Sequence, residues 1–267
     1  MKKCFMILIS VLIILTMVAC GSSPDTAVQD VSQGTGEVQA EAVSVGDEGD
    51  QAVQEDAQES ETEVHPYAWL GLQDIPACNY LDNLAARHYI KKSDVYIAGM
   101  SYVSEETNAV DGINTYKKNE NSLVYSIDGK AYSINEDNKS YMEMDMADIA
   151  DSAEESSISA MENGTNIYGR NLVGTGSEVI PIYSDETGDK DEYEYYEYNY
   201  PEAEEATDTS ETERFYLKDG DVFAIYTKIT MGDTVIESTE VIKEMSGDIP
   251  EGTFDVPDLS GYEKIEF

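Results

Sequence analysis

The chain has 267 residues, with 55 Asp and Glu against 16 Lys and Arg and a formal net charge of −39. That balance excludes nucleic acid as a partner, because such binding runs on phosphate neutralisation by Lys and Arg. It also disfavours a domain lying on anionic lipid, while permitting divalent cations or basic partners.

The first twenty residues read as an export signal. Lys2 and Lys3 precede an apolar run from Phe5 to Ala19, broken only by Ser10 and Thr16. The run is about 15 residues, shorter than the roughly 20 of a membrane-spanning helix, and a short run behind a basic start is a signal peptide. It ends Met17-Val18-Ala19-Cys20-Gly21. This resembles the lipobox of bacterial lipoproteins, with Met17 where that family usually has Leu. The resemblance implies a signal peptide at 1–19, cleavage before Cys20, and a diacylglyceryl group on that thiol. Two acyl chains are enough for stable anchoring. The expected place is therefore the extracytoplasmic side of a cell membrane, with the membrane as a partner through Cys20. Cys4 leaves with the signal and Cys20 carries lipid, so Cys78 alone remains. A single thiol makes no internal disulfide, and a small buried hydrophobe is its expected role.

Residues 20–65 form an acidic stretch with no Lys, Arg, Phe, Trp or Tyr. It holds too little apolar area to offset chain entropy and is expected to be a disordered tether. A flexible coil of about 45 residues spans roughly 35–40 Å.

Residues 66–267 suit one domain. Asp74-Ile75-Pro76 opens a first predicted helix, after which Ala77, Leu81, Leu84, Ala85 and His88 recur at helical spacing. Lys92 to Val103 reads as a strand with Tyr96, Met100 and Tyr102 on one face. Leu123–Ile134 reads as a hairpin around Asp128-Gly129, a pair suited to a type I′ turn, and this pairs Tyr125 with Tyr132 and Leu123 with Ile134. A turn at Asn135–Asn138 leads to a strand at Tyr141–Met146. Met146, Ile149, Ala150, Ala153, Ala160 and Met161 then share a second helical stripe, stopped by Asn163-Gly164. Gly174-Thr175-Gly176-Ser177 reads as a turn, and Pro181 marks 178–183 as an edge strand or loop border. Tyr193–Tyr200 is a strand whose tyrosines switch face between Tyr195 and Tyr196, which points to a bulge or to a strand covered on both sides. Residues 185–191 and 203–213 read as acidic loops. Asp219-Gly220 repeats the hairpin device, and Met231-Gly232-Asp233 joins the last two strands. The Pro-bearing tail from Ile249 is expected to wrap the domain as irregular chain.

Hairpin after hairpin with two helices gives an α+β class, a curved antiparallel sheet in a long meander. A sheet of that length curls. The run "VYSIDGKAYSINEDNKSYMEM" within Asn119–Met144, and Arg214–Met245 closed by "DIPEGTFDVPD", are similar to the strands of half-barrel lipoproteins and lipoprotein carriers of the LolA, LolB and LprG type. That resemblance implies a half-barrel with helices near its concave side and a lipid-sized cavity between.

No pattern carries catalysis. Of two histidines, His65 lies in the tether and His88 on the first helix, and no serine sits in G-x-S-x-G. Gly174–Ser177 lacks the lysine of a P-loop and the third Gly of a dinucleotide fingerprint. No spacing suits zinc, and no cofactor motif occurs. Asp185–Glu192 is the best calcium candidate but departs from the EF-hand order. The 19 Tyr against 5 Phe and 1 Trp offer rings with polar tips. Tyr96, Met100, Tyr102, Tyr125, Tyr132, Met142 and Met144 are the residues expected to line an amphipathic pocket, with plain core packing as the other reading. The leading expectation is a non-enzymatic anchored lipoprotein that binds a lipid-like or amphipathic molecule. The alternative is a surface module docking an envelope protein or glycan, and a distant third is an envelope hydrolase using His88.

Overall fold

The computed structural model describes residues 64–200 and 209–266. The signal peptide, Cys20, the tether up to residue 63 and the first part of the 203–213 acidic stretch lie outside the described residues. Within them run α1 (Asn79–Ala86), β1 (His88–Ile97), β2 (Val103–Asp111), β3 (Asn114–Lys118), β4 (Ser122–Ile127), β5 (Lys130–Asn135) and β6 (Ser140–Asp145). After these come α2 (Ala147–Asn163), β7 (Asn171–Glu178), α3 (Tyr183–Thr187), β8 (Tyr193–Asn199), β9 (Thr209–Lys218), β10 (Asp221–Met231), β11 (Thr234–Ser246) and β12 (Glu263–Lys264). The class is α+β. One open sheet has the order β12-β6-β5-β4-β3-β2-β1-β11-β10-β9-β8-β7. Its neighbours are antiparallel except β12, which lies parallel to β6. Two meanders, β1–β6 and β7–β11, are thus joined along a β1–β11 seam, and α2 connects β6 to β7. No helix among the described residues is long and apolar enough to cross a membrane.

Both Asp-Gly turns form as their chemistry dictates. Asp128 and Gly129 have φ of 51° and 71°, and Asp219 and Gly220 have 53° and 83°, the two positive values a type I′ turn requires. Tyr125 pairs with Tyr132 and Leu123 with Ile134, as the two-residue loop demands. The turn before β6 is closed by the Asn135 side chain, whose Oδ1 accepts from the Asp137 and Asn138 amides. The second helix ends at Gly164 in the left-handed region.

Other expectations change. The first helix begins at Asn79 behind an extended Cys78, not at Pro76, and Arg87 at φ 50° closes it. His88 therefore opens β1, exposed and 2.9 Å from Asp111, rather than lining a helix. The reason lies upstream: Tyr67, Trp69, Leu70, Leu72 and Ile75 bury themselves through a 3-10 turn and coil, and a helix from Pro76 would pull this anchor apart. Lys92–Val103 is not one strand, since the chain reverses at Gly99 (φ 77°) with the Met100 amide bonded to the Ile97 carbonyl. Gly174–Ser177 is not a turn but the middle of β7. There Gly176 faces Tyr195, whose hydroxyl would stand 2.8 Å from any Cβ at that position. Of the two stretches expected as acidic loops, residues 185–187 end α3 and residues 209–213 begin β9.

The face switch in β8 reflects a strand covered on both sides. Tyr196 and Tyr198 join the cluster of Trp69, Leu72, Leu81, Phe215 and Ile225 on what we call the α1 face. Tyr193 and Tyr195 join Tyr96, Tyr216, Tyr226 and Val241 on the opposite face, under Ile180 and Ile182. The bulge lies instead on the neighbour, β7, at Val173. The tail wraps as expected: Val256, Leu259 and Tyr262 cover Leu123, Tyr125 and Ile134. It then adds β12, which was not foreseen.

Candidate functional site

Strand parity decides where the seven expected pocket residues stand. Tyr125 is opposite Tyr132, which is opposite Glu143. Met142 and Met144 therefore point to the other face. Tyr96 shares the tail-covered face with Tyr125 and Tyr132 through Ile90, Ala109 and Tyr116. Met100 and exposed Tyr102 belong to the β1–β2 turn. So the seven do not meet. Tyr96 and Tyr125 are buried in two different clusters of that face, and only Met142 and Met144 remain on the α1 face.

On the α1 face, two cross-strand rows cross the first meander. One runs Lys91, Asn108, Lys117, Val124, Ser133, Met142, and the other Tyr89, Val110, Thr115, Ser126, Ala131, Met144. None of the twelve belongs to any of the three apolar clusters among the described residues. Each row is charged or aromatic at the seam and ends on a methionine at β6, five strand steps or about 24 Å away, with small polar and apolar residues between.

A charged centre sits at the seam end. Lys91 Nζ lies 2.7 Å from Glu240 Oε1, to which Ser93 Oγ donates at 2.6 Å. Directly beside it, Lys117 Nζ is 2.8 Å from Glu106, the cross-strand partner of Ser93. The side chains of Lys91 and Glu240 keep 13% and 22% of their surface exposed. Burial would push the Glu240 carboxyl up, but the adjacent ammonium more than reverses this and holds it below the usual carboxylate range. Burial would likewise lower the Lys91 ammonium, and Glu240 instead holds it above its ordinary value. The Tyr80 and Tyr89 phenols stand near this pair, both pushed up by burial. Sequence reasoning missed this centre because its two halves lie 149 residues apart. The available signal was Lys91 itself, a cation inside a strand of otherwise half-buried residues.

A cavity lies elsewhere, on the opposite face near the outer end of β8–β10. It holds about 560 Å³ and is lined by Glu197, Ser210, Thr212, Arg214, Tyr226, Lys228 and Thr230. Its cations are already engaged: Arg214 with Glu197 and Glu178, Lys228 with Glu237 at 3.8 Å. A smaller cavity of about 190 Å³ lies between α1 and the β9–β10 turn. No protein-family model matches this chain, and no curated protein matches it. Neither cavity includes His88, and Cys78 is buried with its thiol pushed up by that burial. Among the described residues no three His, Cys, Asp or Glu side chains are placed to hold a metal ion. In the candidate calcium loop, for which a plain solvated acidic loop is the favoured reading, Asp189 accepts from the Asp191 amide and the Tyr193 hydroxyl.

Proposed function

We propose that this chain is a membrane-anchored, extracytoplasmic, non-enzymatic lipoprotein that holds an amphipathic molecule against the α1 face of its first meander. The observation that carries this is the path of α2. Ala147 packs onto Gly129 in the β4–β5 turn, where an added Cβ would lie 2.7 Å from the Ala147 Cα. Ala160 is buried against the opening segment of Trp69 in the cluster that this segment forms over the second meander. From β5 to β9 is seven steps, about 34 Å in a flat sheet. From Ala147 to Ala160 a helix advances about 20 Å. A helix that short supports a sheet coiled toward the α1 face, a half-barrel of the LolA, LolB and LprG kind, with α2 strung across it as a chord. The rows that end on Met142 and Met144 then line a trough, polar at one end and apolar at the other.

The test is to purify the mature chain with Cys20→Ser, record native mass spectra, and extract it with organic solvent. A stoichiometric amphiphile supports the reading. A chain that carries none and takes up none from added vesicles sinks it. The polar groove around Arg214 favours a second reading, a module that docks a hydroxyl-rich glycan or an envelope protein. Glycan-array binding abolished by Thr212→Trp would select that reading.

A further inference from the structure

The Lys91–Glu240 pair has no evident reason to be charged if its role is packing alone. Replacing a buried ion pair by apolar side chains of similar volume is often neutral or stabilising. Beside it Glu240 is a cross-strand neighbour of Ile225, part of an apolar cluster that an aliphatic pair would extend. What the pair offers is unused bonding capacity in a fixed place. An ammonium has three donors and a carboxylate about four acceptor sites, and among the described residues Glu240 accepts from Lys91 and Ser93 alone. Among the described residues neither the Tyr80 nor the Tyr89 hydroxyl donates a hydrogen bond. Lys117 and Glu106 repeat the pattern one strand over, so two cations and two anions alternate in one patch.

Resting on the proposed binding of an amphiphile, we infer that this patch receives the ligand's head and selects heads that are net neutral yet rich in donors and acceptors. An anionic head placed there meets Glu240 and Glu106 as closely as it meets Lys91 and Lys117. A zwitterionic or hydroxyl-rich head satisfies both signs at once. The apolar remainder then follows the rows toward Met142 and Met144.

The test uses the mature chain with Cys20→Ser and three vesicle types: phosphatidylethanolamine, diglycosyl diacylglycerol and phosphatidylglycerol, each in a phosphatidylcholine background. Bound lipid per protein is read by mass spectrometry after separation from vesicles. Expected is preference for one or both net-neutral test heads over phosphatidylglycerol by about tenfold, and which of the two is taken names the source. Glu240→Gln, which frees Lys91, should shift uptake toward phosphatidylglycerol by a similar factor. Lys91→Met/Glu240→Met should still take lipid but lose the preference, with circular dichroism confirming the fold. Wild-type uptake that is equal or higher for phosphatidylglycerol overturns the head assignment, as does a double variant with unchanged selectivity. Either result leaves amphiphile binding standing, whereas no uptake of any lipid overturns both.

Discussion

At the scale of single residues, the abundance of tyrosine has a structural account. Several phenols are buried by their rings and donate to carboxylates: Tyr67 to Asp82 at 2.5 Å, Tyr193 to Asp189 at 2.9 Å, Tyr216 to Glu178 at 2.6 Å, and Tyr200 to Glu213. Phe could fill the same volume but could not satisfy the acid. Burial first, and the carboxylate second, push Tyr67 and Tyr193 up to about 12. An unfolded phenol ionises near 10.0, so between there and about 12 the folded chain holds more protons. Unfolding free energy therefore falls as pH rises through that window, whereas below it the contribution of these groups is fully present and independent of pH. Denaturant melts from neutral to strongly alkaline pH should show this decline, and Tyr67→Phe should make it shallower. A decline confined to acid pH would contradict it. The charged centre yields a second expectation. Lys91→Met leaves the partly buried Glu240 without its partner and should destabilise by about 1–3 kcal/mol, while Lys91→Met/Glu240→Met should recover most of that. Equilibrium unfolding of the two variants checks the order.

At the scale of elements, what was legible was what local chemistry alone fixes. Asp128-Gly129, Asp219-Gly220 and Gly164 each declare a backbone conformation, and the registers around them follow. The opening segment was illegible because Trp69, Leu72 and Ile75 bury without any period, in a 3-10 turn and coil. The expected pocket failed on parity: the hairpin that sets Tyr125 against Tyr132 also sets Tyr132 against Glu143, and so turns Met142 and Met144 away. That much was readable from the turn itself. The pairing of Lys91 with Glu240 was not, because nothing local joins β1 to β11. Two glycines of equal turn type make a sharp comparison. Gly220 at φ 83° has open space around it, so Gly220→Ala carries only left-handed strain, about 1–2 kcal/mol. Gly129 carries the same strain plus a clash with Ala147, and Gly129→Ala should cost more, with α2 displaced. Leu72→Ala, emptying a fully buried site in the opening segment, should cost about 2–5 kcal/mol. Thermal melts rank all three.

At the scale of the molecule, α2 is a long but weakly secured helix. Of its 17 residues only Ser157 and Ala160 are buried, while Ile149, Ile158 and Met161 stay exposed. Elements with few buried apolar contacts open most readily. Hydrogen exchange should therefore release α2 amides well before those of β10, and a bound amphiphile should narrow that difference. Equal protection without ligand would remove α2 as a movable chord.

The seam between the meanders also bears on how the chain assembles. Each meander is built from hairpins that close locally, whereas β1 must find β11 across some 150 positions of chain. Loop closure delays such contacts, so two half-sheets with open edges should exist for a time before they dock. Open edges invite pairing between like molecules. Here the edges differ in net sign: Lys91 and Lys92 outweigh Asp94 on β1, and Glu237, Glu240 and Glu244 outweigh Lys243 on β11, with Lys91 meeting Glu240 and Lys92 meeting Glu244 across the seam. A β1 edge thus repels another β1 edge through its lysines, a β11 edge repels another β11 through its glutamates, and each attracts its own complement. The pairs that stitch the finished sheet also keep a half-made one from joining its neighbours.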